Sequence, residues 1–189
     1  MSSSTYLTVL SLGATLGMAN VGTVQASPRA ALPVCATVGN QSSLAGAQDA
    51  KEIQRIIPTH PFFLRAAAAS RFQSCTVKFE SEGRLELQYR FRGEESLRVV
   101  SDPRLEHTSI TAAIRLARDE QAETILLQAE RASYGSGCGL DMAHPQKQAV
   151  KGEAGISETV YQGSACNCRG TIRRDAKSKV TGFVLSMAC

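Results

Sequence analysis

Six cysteines, at positions 35, 75, 138, 166, 168 and 189, constrain this chain more than any other feature. Their number is even and all of them follow a segment that reads as a leader, so disulfide pairing sets the frame of the fold. Residues 1–26 hold no Lys, Arg, Asp or Glu. Tyr6 to Leu16 is a mostly apolar run, and Val24-Gln25-Ala26 offers small or modest side chains where a signal peptidase reads. The segment looks like a secretory signal peptide, except that its positive start is reduced to the terminal amine. The apolar run is too short and interrupted for a membrane helix, which leaves no transmembrane anchor after cleavage. A lipid-modified Cys35 fits less well, because Arg29 and two prolines separate it from the apolar run and Val34 is a poor small residue. Cleavage leaves a single domain over 27–189, about 160 residues and enough for one core. The expected location is secreted or periplasmic.

Neighbourhood favours pairing Cys35 with Cys75, one of Cys166 and Cys168 with Cys189, and the other with Cys138. Cys166 and Cys168 are too close to bond each other. Two rival uses of the same residues are weaker. Cys138, His144, Cys166 and Cys168 have the donor types of a zinc site, but Cys-x-Cys is an unusual spacing for structural zinc and export favours oxidation. A redox-active Cys166-Asn-Cys168 lacks the Cys-x-x-Cys spacing and helix start that lower a thiol pKa. No metal and no cofactor are expected.

The last two cysteine-bearing runs, Tyr161 to Arg174 and Lys179 to Cys189, flank the turn-prone Asp175-Ala-Lys-Ser178 and read as a hairpin. With Arg174 opposite Lys179, Cys166, Cys168, Ile172, Phe183, Leu185, Met187 and Cys189 fall on one face, the buried one.

Upstream, Gln48 to Ile57 has helical spacing and stops at Pro58. A second helix starts at Pro61, capped by Thr59 or His60, with Phe62 and Phe63 as core anchors. Thr76 to Glu80, Leu85 to Arg92 and Leu97 to Val100 form an antiparallel meander, in which Leu85, Leu87, Tyr89 and Phe91 point inward. Leu105 to Leu116 fits either period, and strand is preferred because a better helix follows, from an Asp119 cap to Tyr134. Leu140 to Gly155 reads as an exposed loop and Ser27 to Ala45 as a loosely structured lead-in. No internal repeat is visible. Together these elements predict an α+β fold: an antiparallel β-sheet with two short N-terminal helices, one longer helix and a C-terminal hairpin, stapled by disulfides.

The formal charge is +4, and the excess lies after Pro145, where seven Lys or Arg oppose three Asp or Glu. Arg169 and Arg173 on the outward face of the hairpin, with Arg174 at its turn, are candidates to dock an anionic partner or surface polymer. The simpler reading is a solvated strand that uses charge against edge pairing, and no aromatic residues interleave for base stacking. Catalytic motifs are missing: His60, His107 and His144 are isolated, and none of the familiar nucleophile, paired-histidine or calcium-loop patterns occurs. The expected function is that of an exported, non-enzymatic binding or structural protein. The alternative is a small secreted hydrolase, for example of phosphodiesters, in which His107 or His144 lies in a cleft beside Arg169 or Arg173. Asn40-Gln-Ser42 is a glycosylation acceptor if the host is eukaryotic.

Overall fold

Strict alternation over 85–91 becomes the strand it predicts, and eight further strands fall in line with it. The computed structural model describes residues 35–38, 44–80, 83–116, 121–134 and 138–189. The predicted leader, the Asn40 triplet and the Asp119 cap lie outside them. In chain order the elements are β1 (Ala36–Val38), α1 (Leu44–Ile56) running into a 3-10 turn (Ile57–Thr59), α2 (Pro61–Ala69), β2 (Phe72–Phe79), β3 (Leu85–Phe91), β4 (Ser96–Asp102) and β5 (His107–Ala113). They continue with α3 (Ala122–Tyr134), β6 (Gln146–Ala149), β7 (Ser157–Gln162), β8 (Arg169–Arg174) and β9 (Val180–Ala188). The fold is α+β, with one sheet in the order β1-β2-β3-β4-β5-β9-β8-β7-β6. Every pairing is antiparallel except β1 with β2.

That order is a palindrome around one seam. A helix followed by four hairpin-linked strands occurs twice, as α2 with β2–β5 and α3 with β6–β9, and the two meanders meet where β5 pairs with β9. The repetition is one of topology and is invisible to sequence comparison of the halves. Each disulfide stays within its own half: Cys35–Cys75 in the first, Cys138–Cys168 and Cys166–Cys189 in the second, with Cα separations of 4.6, 5.5 and 4.4 Å. These pairings are the ones that neighbourhood favours, and they decide which of Cys166 and Cys168 takes Cys189.

The three helices among the described residues lie on one face of the sheet. Across it, Val77, Leu87, Val99, Ile110 and Leu185 stand side by side on five adjacent strands, and all are buried. Each such side chain contributes about 1.5–3 kcal/mol through loss of apolar surface to water. Proline at its first position starts α2, where the missing N–H costs nothing. Its Phe62 stacks on Phe183 of the other half at 5.0 Å, while Phe63 meets Tyr89 and Phe91 edge-on at 5.6 and 5.2 Å. Helix α3 buries Ala122, Ile125, Leu126 and Ala129. It sits close because Gly170 on β8 has no side chain: a Cβ there would come within 3.0 Å of Leu126 and 2.7 Å of Leu140. Buried Glu130 accepts the Gly139 N–H at 2.8 Å and ties the end of α3 to the Cys138 loop.

Several sequence expectations are corrected. The terminal hairpin is real, but Ile172 faces Phe183 and Gly170 faces Leu185, a slip of two residues from the predicted register. The slip by an even number keeps Cys168, Ile172, Phe183 and Leu185 inward. Two single-residue changes add up to it: the turn is one residue longer, with Arg174 opposite Val180 instead of Lys179, and a bulge at Thr181 lies between the Arg174–Val180 and Arg173–Gly182 pairs, with Val180 in the core. The run from Tyr161 to Arg174 is not one strand. It splits into the end of β7 and β8 at a reversal through Cys166 and Asn167, whose φ values are 51° and 41°. Cys166 and Cys189 are accordingly exposed, not buried. The predicted loop over 140–155 contains β6, and the lead-in contains β1; both are edge strands of three or four exposed residues held by backbone pairing, to which β6 adds the Gln148–Glu158 side-chain bond. Residues 107–113 form the strand preferred over the helix.

Candidate functional site

Helix α1 brings Asp49, Glu52, Ile53 and Ile56 onto one side, at intervals of three and four residues. That side does not close down on the sheet. Between α1, the 3-10 turn, the end of α3 and the two strands beneath lies a cavity of about 640 Å³. Its floor is Val99 and Ser101 of β4, directly opposite Ile110 and Thr108 of β5. Ile53, Ile56 and Ile57 give it an apolar flank, and Thr59, His60, Ser133 and Tyr134 close the inner end. Asp49 and Glu52 stand at the α1 side. An apolar interior with a few polar groups at its margin is the usual composition of a small-molecule site.

The inner end is held by a chain of hydrogen bonds whose proton positions follow from the partners. The His60 Nδ1 accepts the Phe62 N–H at 3.3 Å, capping α2, so in the neutral ring the proton is on Nε2. Nε2–H then donates to Ser133 Oγ at 2.9 Å, and Ser133 O–H donates to the Ala129 carbonyl at 2.8 Å. The order is the reverse of what a serine nucleophile needs, where histidine must accept the hydroxyl proton. The pair is therefore a clamp between α2 and α3. Burial, opposed in part by the Ala129 carbonyl, pulls the imidazole from 6.5 down to about 4, which leaves it uncharged near neutrality. Tyr134 O–H donates to the Thr108 carbonyl at 3.0 Å and fixes the end of α3 to the floor; burial raises its pKa and keeps the phenol neutral.

The hairpin arginines are distributed over two faces. Arg169 is exposed on the face opposite the helices, across from Ser186 and Gln162. Arg173 lies on the same face, about 13 Å further along the strand, and donates to Glu158 at 2.9 Å and Glu153 at 3.4 Å. Burial alone would raise the Glu158 carboxyl, but hydrogen bonds from Arg173 and Gln148 hold it below its ordinary value. The first half repeats this device, with Arg98 donating to both oxygens of Glu86 at 2.6 and 2.7 Å. Arg174, two residues on from inward Ile172, falls on the helix side by strand alternation and donates to Thr159 Oγ1 at 2.9 Å. The three arginines do not converge on one point.

The histidines are equally dispersed. His60 is under the helices. His107 starts β5 on the far face, opposite Asp102 and Ala188 and two strands from the arginines of β8. His144 is in the exposed loop before β6 and is hydrogen-bonded to Asp141 at 2.8 Å. The thiols that a zinc or redox reading requires are all in disulfides. Sequence reasoning missed the cavity, because Ile53, Ile56, Val99 and Ile110 have the spacing of ordinary core residues.

Among the described residues no helix is long and apolar enough to cross a membrane. No family model, no curated protein and no solved structure matches this chain.

Proposed function

We propose that this is an exported, non-enzymatic binding protein that holds a small, largely apolar ligand beneath α1. The observation that carries the reading is the cavity of about 640 Å³ floored by Val99 and Ile110 and flanked by three isoleucines. A ligand burying about 300 Å² of apolar surface gains roughly 7 kcal/mol before the cost of association, which corresponds to micromolar binding at best. Export is supported by the leader-like residues 1–26 and by a fold in which six of six cysteines are paired. The hairpin arginines support an anionic partner less well, since Arg173 is already engaged by two glutamates. A hydrolytic reading draws little from histidines whose ring nitrogens or strand positions are so dispersed.

The test uses the chain recovered from a secreting host. Intact mass is expected to correspond to a start at Ser27 with no alkylatable thiol before reduction; an unprocessed chain with free thiols would overturn export. The fluorescence of the neutral apolar probe N-phenyl-1-naphthylamine is then expected to rise on binding. Ile56, 42% exposed beside the cavity, is the place to block it: Ile56→Trp is expected to weaken the probe at least tenfold with circular dichroism unchanged. Absence of probe binding to the parent protein, or undiminished binding by the variant, would sink the assignment.

A further inference from the structure

We propose that the ligand of this cavity is a hydrophobic cation, an apolar body carrying a protonated amine that docks between Asp49 and Glu52. The inference rests on the binding reading above and adds the chemistry of the head group. The chain as a whole is basic, at +4, yet the cavity wall is not: among the described residues it contains Asp49 and Glu52 and no lysine or arginine. The histidine in the wall does not offset them, because His60 is neutral and both of its ring nitrogens are engaged. A carboxylate head group would meet two like charges there, of which only Glu52 is paired with a cation, Arg55.

The placement of the acids along α1 matches a ligand with two ends. Asp49 and Glu52 precede Ile53 and Ile56 on the same helix side, so the charged end of the wall and its apolar flank are successive turns of one helix. A cationic head at Asp49 leaves the attached chain to run along Ile53, Ile56 and Ile57 over the Val99–Ile110 floor. Both carboxylates are available to it. Asp49 is exposed and has no ion pair among the described residues. Glu52 is held by Arg55 in an i,i+3 pair whose side chains are 58% and 71% exposed, and a pair that open to water is readily exchanged for another cation.

Three eight-carbon probes that differ only in the head group isolate this claim: octylamine, octanol and octanoate, each titrated against bound N-phenyl-1-naphthylamine. Octylamine is expected to displace the probe at about tenfold lower concentration than octanol, with octanoate weaker than both, as two partly exposed carboxylates would give. The advantage is expected to shrink as sodium chloride is raised from about 0.05 to 0.5 M. In an Asp49→Asn, Glu52→Gln double variant, which keeps shape and helix, the three probes are expected to agree within about twofold. Equal displacement by octylamine and octanol on the parent protein would overturn the head-group inference and leave the cavity assignment standing, provided that the neutral probe binds. An amine preference that survives in the double variant would also overturn it. Failure of the neutral probe to bind would remove both.

Discussion

Between pH 7 and pH 4 an ordinary histidine takes up a proton, whereas His60 resists it down to about 4 because burial penalises the charged ring. Protonation would also place a hydrogen on Nδ1, where the Phe62 N–H already points, and so cancel the cap of α2. The unfolded chain binds this proton near 6.5 and the folded chain near 4, so the contribution is complete above 6.5 and is lost as the pH falls towards 4. A displacement of that size corresponds to about 3 kcal/mol. His60→Asn keeps a capping acceptor and removes the titration. Urea unfolding at pH 7, 6, 5 and 4 is expected to show the parent losing about 3 kcal/mol more than the variant over that range; parallel losses would refute the role. The cap was legible in the sequence, from a polar residue before Pro61. The clamp to Ser133 was not, because it joins residues 73 apart.

At the scale of elements, covalent and steric constraints differ between the ends and the centre of the sheet. The Cys166–Cys189 bridge is exposed on both sides, whereas Cys138 and Cys168 are fully buried and Cys35 and Cys75 are nearly so. Mild reductant on the native protein is expected to open Cys166–Cys189 first, read as two alkylations at those positions, and Cys166→Ser with Cys189→Ser is expected to cost about 2–4 kcal/mol. Early alkylation at Cys138 would contradict this order. At the seam, a Cβ on Gly182 would lie 2.7 Å from the Ala112 carbonyl oxygen, which belongs to the backbone of the partner strand and cannot swing aside. Gly182→Ala is therefore expected to cost about 1–3 kcal/mol, with faster amide exchange in β5 and β9 than elsewhere in the sheet. How much of each element the sequence disclosed follows from how its strands are held. Leu85 to Phe91 was legible because its side chains alternate between core and solvent. Gln146 to Ala149 was not, since all four residues are exposed and none of them alternates between core and solvent. Thr181 gave no sign of a bulge, because an extra residue is indistinguishable in sequence from a longer turn.

For the whole molecule, the two halves are stapled separately and joined by β5–β9 pairing and by packing such as Phe62 on Phe183. No disulfide crosses between them. A protease site introduced between residues 117 and 120 is expected to yield two pieces that co-elute under native conditions and separate in denaturant without reductant. Pieces that part on cleavage alone, or that stay linked in denaturant, would contradict the arrangement. The same palindrome governs the order of events in a newly made chain. The strand that completes the middle of the sheet, β9, follows every other strand described, so β5 keeps an unpaired edge for the whole time that residues 114–179 are being made. Long-range pairing of this kind is slow, and an open edge invites other chains. The interval before β9 arrives is thus the period of greatest exposure for this protein, and the one in which a cell has most reason to hold it.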